Sequence, residues 1–203
     1  MCMQLDNLNR VIYLLAFTGG FVIMSLELLG GRIMAPYFGS SIYVWGSIIT
    51  IFMLSLSFGY LWGGRLSLKE PSIKRFSYIF FIAAITMYPL TIFGEVVMQY
   101  VFETIHDPRY GSLIASIILF TIPTVILGMI SPYSVRLLVE TTHSSGKTAG
   151  NLYFYSTLGS ALGTLITSFY LVLWFEILTI LNLLTLTLLL LGTVGTVAGR
   201  KNT

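Results

Sequence analysis

The sequence predicts an all-α integral membrane protein with six transmembrane helices in a single domain over residues 1–203. Three observations carry this. Of the 203 residues, 56% are hydrophobic and only 9% are charged, against roughly 25% charged in a soluble domain. The mean hydropathy is +0.87. Six apolar stretches are each long enough to cross a hydrocarbon core of about 30 Å, which takes about 20 helical residues. A chain with so few charges cannot clothe a soluble surface in polar groups. Disorder would need the opposite composition. One cysteine, Cys2, cannot form a disulfide scaffold within its own chain.

The first span runs from about Val11 to Gly31 (11–31) and the second from Tyr43 to Gly64 (43–64), with a short Ala35-Pro36-Tyr37-Phe38-Gly39 turn between them. The first has a basic lead, Arg10, but is long for a signal peptide and lacks a small-x-small cleavage site, so it reads as an uncleaved span. The third runs from Phe76 to Gly94 (76–94), and the fourth from Gly111 to Val135 (111–135). Between them, Val97, Tyr100, Val101 and Ile105 recur at helical spacing. They form either a short interfacial helix or, as preferred here, an extension of the third span. The apolar run from Asn151 to Ala198 contains one charge, Glu176. As one helix it would be about 70 Å long, more than twice the core thickness. It therefore folds back near Trp174-Phe175-Glu176, giving spans 151–172 and 178–198.

The connecting segments set an orientation. With both termini in the cytoplasm, the inner segments hold Arg10, Arg65, Lys69, Lys74, Arg75, Arg136, Lys147, Arg200 and Lys201, nine of the eleven basic residues. Glu95, Glu103, Asp107 and Glu176 fall on the other side, with Arg109 as its basic exception. Positive residues stay inside, so the expected location is the cell (cytoplasmic or inner) membrane. The net charge of +3 belongs to this bias. No basic patch with interleaved aromatics lies on a polar face, which argues against nucleic acid.

Span one runs outward and span four inward, as in a three-plus-three inverted repeat, the unit that builds half of a major facilitator-type transporter. Small residues form stripes. Gly59 and Gly63 on span two, Gly159 and Gly163 on span five, and Gly195 and Gly199 on span six each have GxxxG spacing. Such spacing lets helix backbones approach closely, within one chain or across a dimer, with intrachain packing preferred. Pro89 and Pro123 lie inside spans, and the more central Pro123 is the hinge candidate.

Few residues can carry chemistry. Glu27 sits inside span one among Met24, Leu26, Leu28 and Leu29. A carboxylate there is costly and faces protein or water rather than lipid. It can bind a cation, carry a proton, or fix packing by satisfying a polar group elsewhere. Arg32 lies about 140° round the helix from it, a poor partner on a straight helix. Arg136, at the inner end of span four, is a snorkelling anchor or a gating or substrate contact. Tyr153 in span five, with Tyr155 and Tyr170, can pack or line a cation-attracting cavity. His106 and His143 lie in loops on opposite sides, so no metal site is expected. No cofactor is implied, and no phosphate-binding loop, GxSxG or HExxH motif is present.

The run Leu26-Glu27-Leu28-Leu29-Gly30-Gly31-Arg32-Ile33-Met34-Ala35-Pro36-Tyr37-Phe38-Gly39-Ser40-Ser41, with Tyr43-Val44-Trp45-Gly46-Ser47, resembles the membrane domain of spermidine synthase-like proteins, also described as fused major facilitator/spermidine synthase proteins. Leu127-Gly128-Met129-Ile130-Ser131-Pro132, Arg136, Ala149-Gly150-Asn151-Leu152-Tyr153 and Thr157-Leu158-Gly159-Ser160-Ala161-Leu162-Gly163-Thr164 agree in order and spacing. The two blocks cover about a third of the chain. The resemblance implies the membrane half alone. The aminopropyltransferase domain and its glycine-rich loop are not in this sequence, so synthase activity is not expected. Leu68 stands in Gly63-Gly64-Arg65-Leu66-Ser67-Leu68-Lys69 where that family and the facilitators carry Asp.

The expected function is a transporter or exporter subunit for polyamine-like or other small cations, acting as a homodimer. Glu27 would be the cation or proton site, tuned by Arg32 and Arg136. The alternative is a non-transporting scaffold that anchors or regulates a separate soluble synthase through the basic inner loops. The lipid bilayer is a partner in either case.

Overall fold

A computed structural model describes residues 2–139 and 145–200, with side chains from Leu8 onward. His143 and Lys201 lie outside the described residues, as does the Cys2 side chain. The helices are α1 (Cys2–Phe38), α2 (Ile42–Ser67), α3 (Ile73–Thr104), α4 (Pro108–Gly128), α5 (Ile130–Leu138), α6 (Ser145–Ile166), a π-helical segment (Thr167–Leu171), α7 (Val172–Trp174) and α8 (Ile177–Arg200). They make six spans long and apolar enough to cross a membrane: Leu8–Phe38, Ile42–Ser67, Ile73–Thr104, Pro108–Leu138, Ser145–Trp174 and Ile177–Arg200. No strand occurs among the described residues. The chain is a multi-pass, all-α membrane protein.

Every span outruns its sequence estimate, because helix ends reach past the apolar core. The turn after span one is shorter than expected. The helix continues through Ala35 and Pro36 to Phe38. Pro36 withholds one N–H, but its fixed φ suits a helix. Gly39, at φ +78°, ends it by donating its N–H to the Ala35 carbonyl at 3.0 Å, a left-handed closure that favours glycine. Residues 95–104 extend α3 rather than forming a separate helix. Asp107 then caps α4, accepting the Arg109 N–H at 2.9 Å, with Pro108 in the first turn. The fold-back between spans five and six falls at Phe175 and Glu176.

Span four stays helical through Pro123 and breaks at Met129 instead. Pro132, three residues on, has no N–H for the Gly128 carbonyl, and its ring crowds that carbonyl. The chain steps around the gap, with Met129 N–H on Ile126 O at 3.2 Å and Tyr133 N–H on Met129 O at 3.3 Å.

Helix pairing follows the glycines. Spans one and five run parallel. A Cβ at Gly159 would collide with the Phe17 carbonyl, one at Gly163 would lie 2.5 Å from the Phe21 carbonyl oxygen, and one at Gly20 would collide with the Ser156 carbonyl. Spans two and four are matched in the same way. Gly59 abuts the Val125 carbonyl, Gly63 abuts Met129, and Gly128 abuts Leu56. Moving α2 positions forward by 100 and span-four positions back by 108 turns the second set of contacts into the first. Spans one and four themselves run antiparallel, with Gly19 against Ile130, Gly30 against Phe120, and Met34 against Ser116. Spans three and six form the remaining pair, antiparallel, with Ile73 near Gly199, Ser77 against Gly195 and Phe81 against Gly192. The pairing maps onto itself when spans one, two and three are exchanged for four, five and six, as an inverted repeat requires.

All six GxxxG glycines therefore meet helices of their own chain. Lipid tails are as apolar as leucine, so this close backbone approach, not apolar burial, is what joins the helices. Gly59, Gly63, Gly159 and Gly163 are buried in these contacts within the chain. Inside the bundle, Phe52 packs on Phe120 with centroids 5.6 Å apart, and Phe76 stacks on Tyr133 at 5.6 Å and 7°. The buried Tyr133 hydroxyl accepts the Ser72 N–H at 3.2 Å and donates to the Ser72 carbonyl at 3.4 Å, fastening the loop before α3 to α5.

Candidate functional site

Glu27 is the intramembrane charge around which a site can form. The helical repeat sets its direction. Gly20, Glu27 and Gly31 fall within about 40° of arc on α1. Gly20 packs on Ser156 of span five, and Gly31 packs under the Trp45 ring of span two. Glu27 therefore looks out between spans two and five, the two helices that flank this face. It is partly buried and has no hydrogen bond or ion pair among the described residues. An unpaired carboxylate at this depth is stable against water or a cation and unstable against lipid.

At the depth of Glu27, but about 160° round α1 from it, lies a feature the sequence did not reveal. Two residues before Glu27, the buried Ser25 hydroxyl accepts a hydrogen bond from Thr167 at 2.8 Å and donates towards the Gly163 carbonyl at 3.5 Å. Thr167 opens the π-helical segment, where the Val172 N–H reaches back five residues to the Thr167 carbonyl. The α1–α6 contact register brings this segment to the depth of Glu27. A π-turn loosens helical bonding locally and often marks a functional site. No motif announces it: Thr167-Ser168-Phe169-Tyr170-Leu171 reads as ordinary helix. Only the Ser and Thr content hinted at polar character.

The other expected site residues do not gather round Glu27. Arg32 is exposed, one and a half turns further along α1, and makes no ion pair with it. Arg136 is exposed in the last turn of α5. The antiparallel register of spans one and four sets it level with Leu14, about 20 Å along the bundle from Glu27. Tyr153 is 56% exposed. It lies near Arg136 in depth, since Tyr13 meets Tyr155 with ring centroids 5.1 Å apart. Glu27 and Arg32 thus belong to one half of the bundle, and Arg136 and Tyr153 to the other. They do not form one cluster.

Among the described residues, no three His, Cys, Asp or Glu side chains converge as a metal site would need. The ion pairs lie at the bundle ends. Arg75 meets Glu70 at 3.1 Å, and Arg109 meets Asp107 at 2.8 Å. Asp107 accepts the Arg109 side-chain hydrogen bonds, which hold its carboxyl below its ordinary value of 3.8. Comparison of the chain with protein-family models, curated proteins and solved structures finds no match.

Proposed function

We propose that the chain is a subunit of a transporter or exporter for small organic cations of the polyamine class. It works in the cell membrane with both termini cytoplasmic. The observation that carries this reading is Glu27: an unpaired carboxylate at membrane depth, on the face of α1 framed by spans two and five. The π-helical segment at the same depth, packed on the other side of α1 through Ser25, supports the reading, because a loosened helix can rearrange at low cost. The repeat supports it as well, since two interchangeable halves around a midplane site are what alternating access uses. The polyamine class rests on the sequence resemblance of residues 26–47 and 127–164. Orientation rests on the basic residues gathered at the end that carries both termini.

Six spans are half of a facilitator-type fold, so we assign the working unit as a homodimer. The two copies would meet across spans two and five and close Glu27 away from lipid. Tyr60, Tyr153 and Tyr155 expose hydroxyl-bearing rings on these helices, and span five is the least buried of the six. A mass in lipid nanodiscs equal to one subunit would count against the dimer.

The direct test is uptake of labelled spermidine and putrescine by vesicles containing the purified protein. Glu27→Gln keeps the shape and removes the charge. The expected outcome is saturable uptake by the wild type that is lost in the variant. Equal uptake by both would remove Glu27 from the mechanism. No uptake of any cation by the wild type would leave the scaffold reading, with a soluble synthase docked on the basic end.

A further inference from the structure

Span four ends in a separate piece, the nine-residue α5 that follows the break at Met129. This piece touches α1, α2 and α6, the three helices that bound the Glu27 face, and it also reaches α3. Ile130 packs on Gly19 of α1, about two turns from Glu27 towards the end that carries both termini. α5 therefore fills that end of the cleft between spans two and five. Its attachment suits a part that moves. At the root, Pro132 supplies no N–H for the Gly128 carbonyl, and the Met129 backbone rests directly on Gly63 of α2. Span one, the counterpart of span four in the repeat, is unbroken from Cys2 to Phe38 and has no such joint. Beyond the root, α5 buries Ile130, Tyr133, Ser134 and Leu138 and leaves Arg136 exposed. A helix of that pattern can leave its seat and rest among lipid headgroups. Among the described residues, the polar tie from α5 to the rest of the bundle is the Tyr133 hydroxyl, bonded to the Ser72 N–H at 3.2 Å and the Ser72 carbonyl at 3.4 Å. Both bonds are long. The receiving loop is firm, because Ser72 Oγ accepts the Arg75 N–H at 3.2 Å and the Arg75 guanidinium pairs with Glu70 at 3.1 Å.

We propose that α5 is a hinged cover over the end of the Glu27 cleft nearest the termini, turning at Met129 and clasped shut by Tyr133. Release of Ser72 frees the far turns of α5, while Gly63 keeps the root against α2 as a fulcrum. A cation on Glu27 then has a route to water at that end. Two long hydrogen bonds make a clasp that opens at low cost, and the buried Ile130, Tyr133 and Leu138 draw the helix back to its seat. Glu27 itself stays in place, because it sits on the unbroken α1. The cover rests on the Glu27 cleft of the transport reading, but chemical labelling detects it without any transport.

The test is cysteine labelling in membrane vesicles. Cys2, the one cysteine of the chain, is first replaced by serine. One reporter is Ile23→Cys, a turn from Glu27 on the same face of α1 and just behind the root of α5. The other is Ser77→Cys, a buried position on α3 that faces Gly195 of span six. A membrane-impermeant maleimide is applied to each face in turn. With Tyr133 intact, Ile23→Cys should react slowly from the face that carries the termini. Tyr133→Phe should speed that reaction about fivefold to thirtyfold, the factor that one buried hydrogen-bonding group is worth, and from that face alone. Arg75→Gln is an exposed change that frees the Ser72 loop and keeps Tyr133, and it should speed the reaction by a smaller factor. Ser77→Cys should react at the same rate in both variants. Three results would each overturn the proposal: an Ile23→Cys rate that neither variant moves, an equal rise from both faces, or a Ser77→Cys rate that rises in step, which would mean a general loosening of the bundle. Spermidine uptake is measured on the same vesicles. A cover that opens where no spermidine is taken up would count against the transport reading and leave the cover standing. Uptake with an unmoved Ile23→Cys rate would do the reverse.

Discussion

Gly63 and Gly64 are adjacent on α2 and should respond in opposite ways to the same substitution. A Cβ at Gly63 would lie 2.6 Å from Met129 Cα and 2.7 Å from the Met129 carbonyl oxygen, whereas one at Gly64 would meet nothing within 4 Å. Real Cβ contacts scarcely fall below 3.0 Å. The obstacle is backbone, so no side chain can swing aside, and α2 must move off span four by at least about 0.4 Å. That movement also pulls apart the backbone contact at Gly59 one turn earlier, where the helices approach more closely still. Both substitutions gain the same helix propensity, up to about 1 kcal/mol for Gly to Ala. The propensity cancels in the difference, which then reports the helix contact alone. Overpacking costs about 1–3 kcal/mol, so Gly63→Ala should be less stable than Gly64→Ala by about that much. Equilibrium unfolding in mixed detergent micelles measures both. Equal stabilities, or a less stable Gly64→Ala, would refute the helix pairing described above.

Other consequences follow from single groups. Tyr133→Phe removes the hydroxyl that bonds Ser72 and should cost about 1–2 kcal/mol in the same unfolding assay, because the Ser72 N–H then loses its partner. Thr167→Val keeps its volume but deletes the hydrogen bond to Ser25. It should cost about 0.6 kcal/mol, the usual value within a bilayer, and adding Ser25→Ala should bring less further loss than Ser25→Ala costs alone, since only the longer bond to the Gly163 carbonyl is then left to lose. Asp107 is held below its ordinary carboxyl value when folded, so it stabilises the folded chain above pH 3.8 and loses that contribution as pH falls through its lowered value. An acid titration of stability should therefore be shallower in Asp107→Asn than in the wild type. A matching acid loss in both would show that Arg109 does not hold that carboxyl in the folded chain.

The spans were legible because the bilayer imposes a length and a composition on every helix, and six windows met both. Helix ends were less legible. A proline-containing stretch such as Ala35–Phe38 can stay helical beyond the apolar core. The stripes Gly59/Gly63 and Gly159/Gly163 were visible as spacing, but their partners were not, since GxxxG does not name the helix it meets. The break at Met129 was not read from the sequence, because its cause, Pro132, acts on the carbonyl four residues before it. Glu27 was found by its cost alone. The polar contact at its depth on the other side of α1 was not found, because Ser25 and Thr167 lie 142 residues apart and the π-turn leaves no signature. Arg136 entered the site on sequence because depth along a bundle cannot be read until the register of spans one and four is known.

The account turns on Glu27 being open to water and able to hold a cation. Labelling by a water-soluble carbodiimide, read at each carboxyl by peptide mass spectrometry in membranes with and without spermidine, tests both properties on the native residue. The account predicts that Glu27 is modified and that spermidine slows its modification in a saturable way. A Glu27 that stays unmodified while Glu95 and Glu176 react would mean a dry, packed carboxylate. A Glu27 that reacts at the same rate with every cation present would mean that it faces water but binds none of them. Either result would contradict the account.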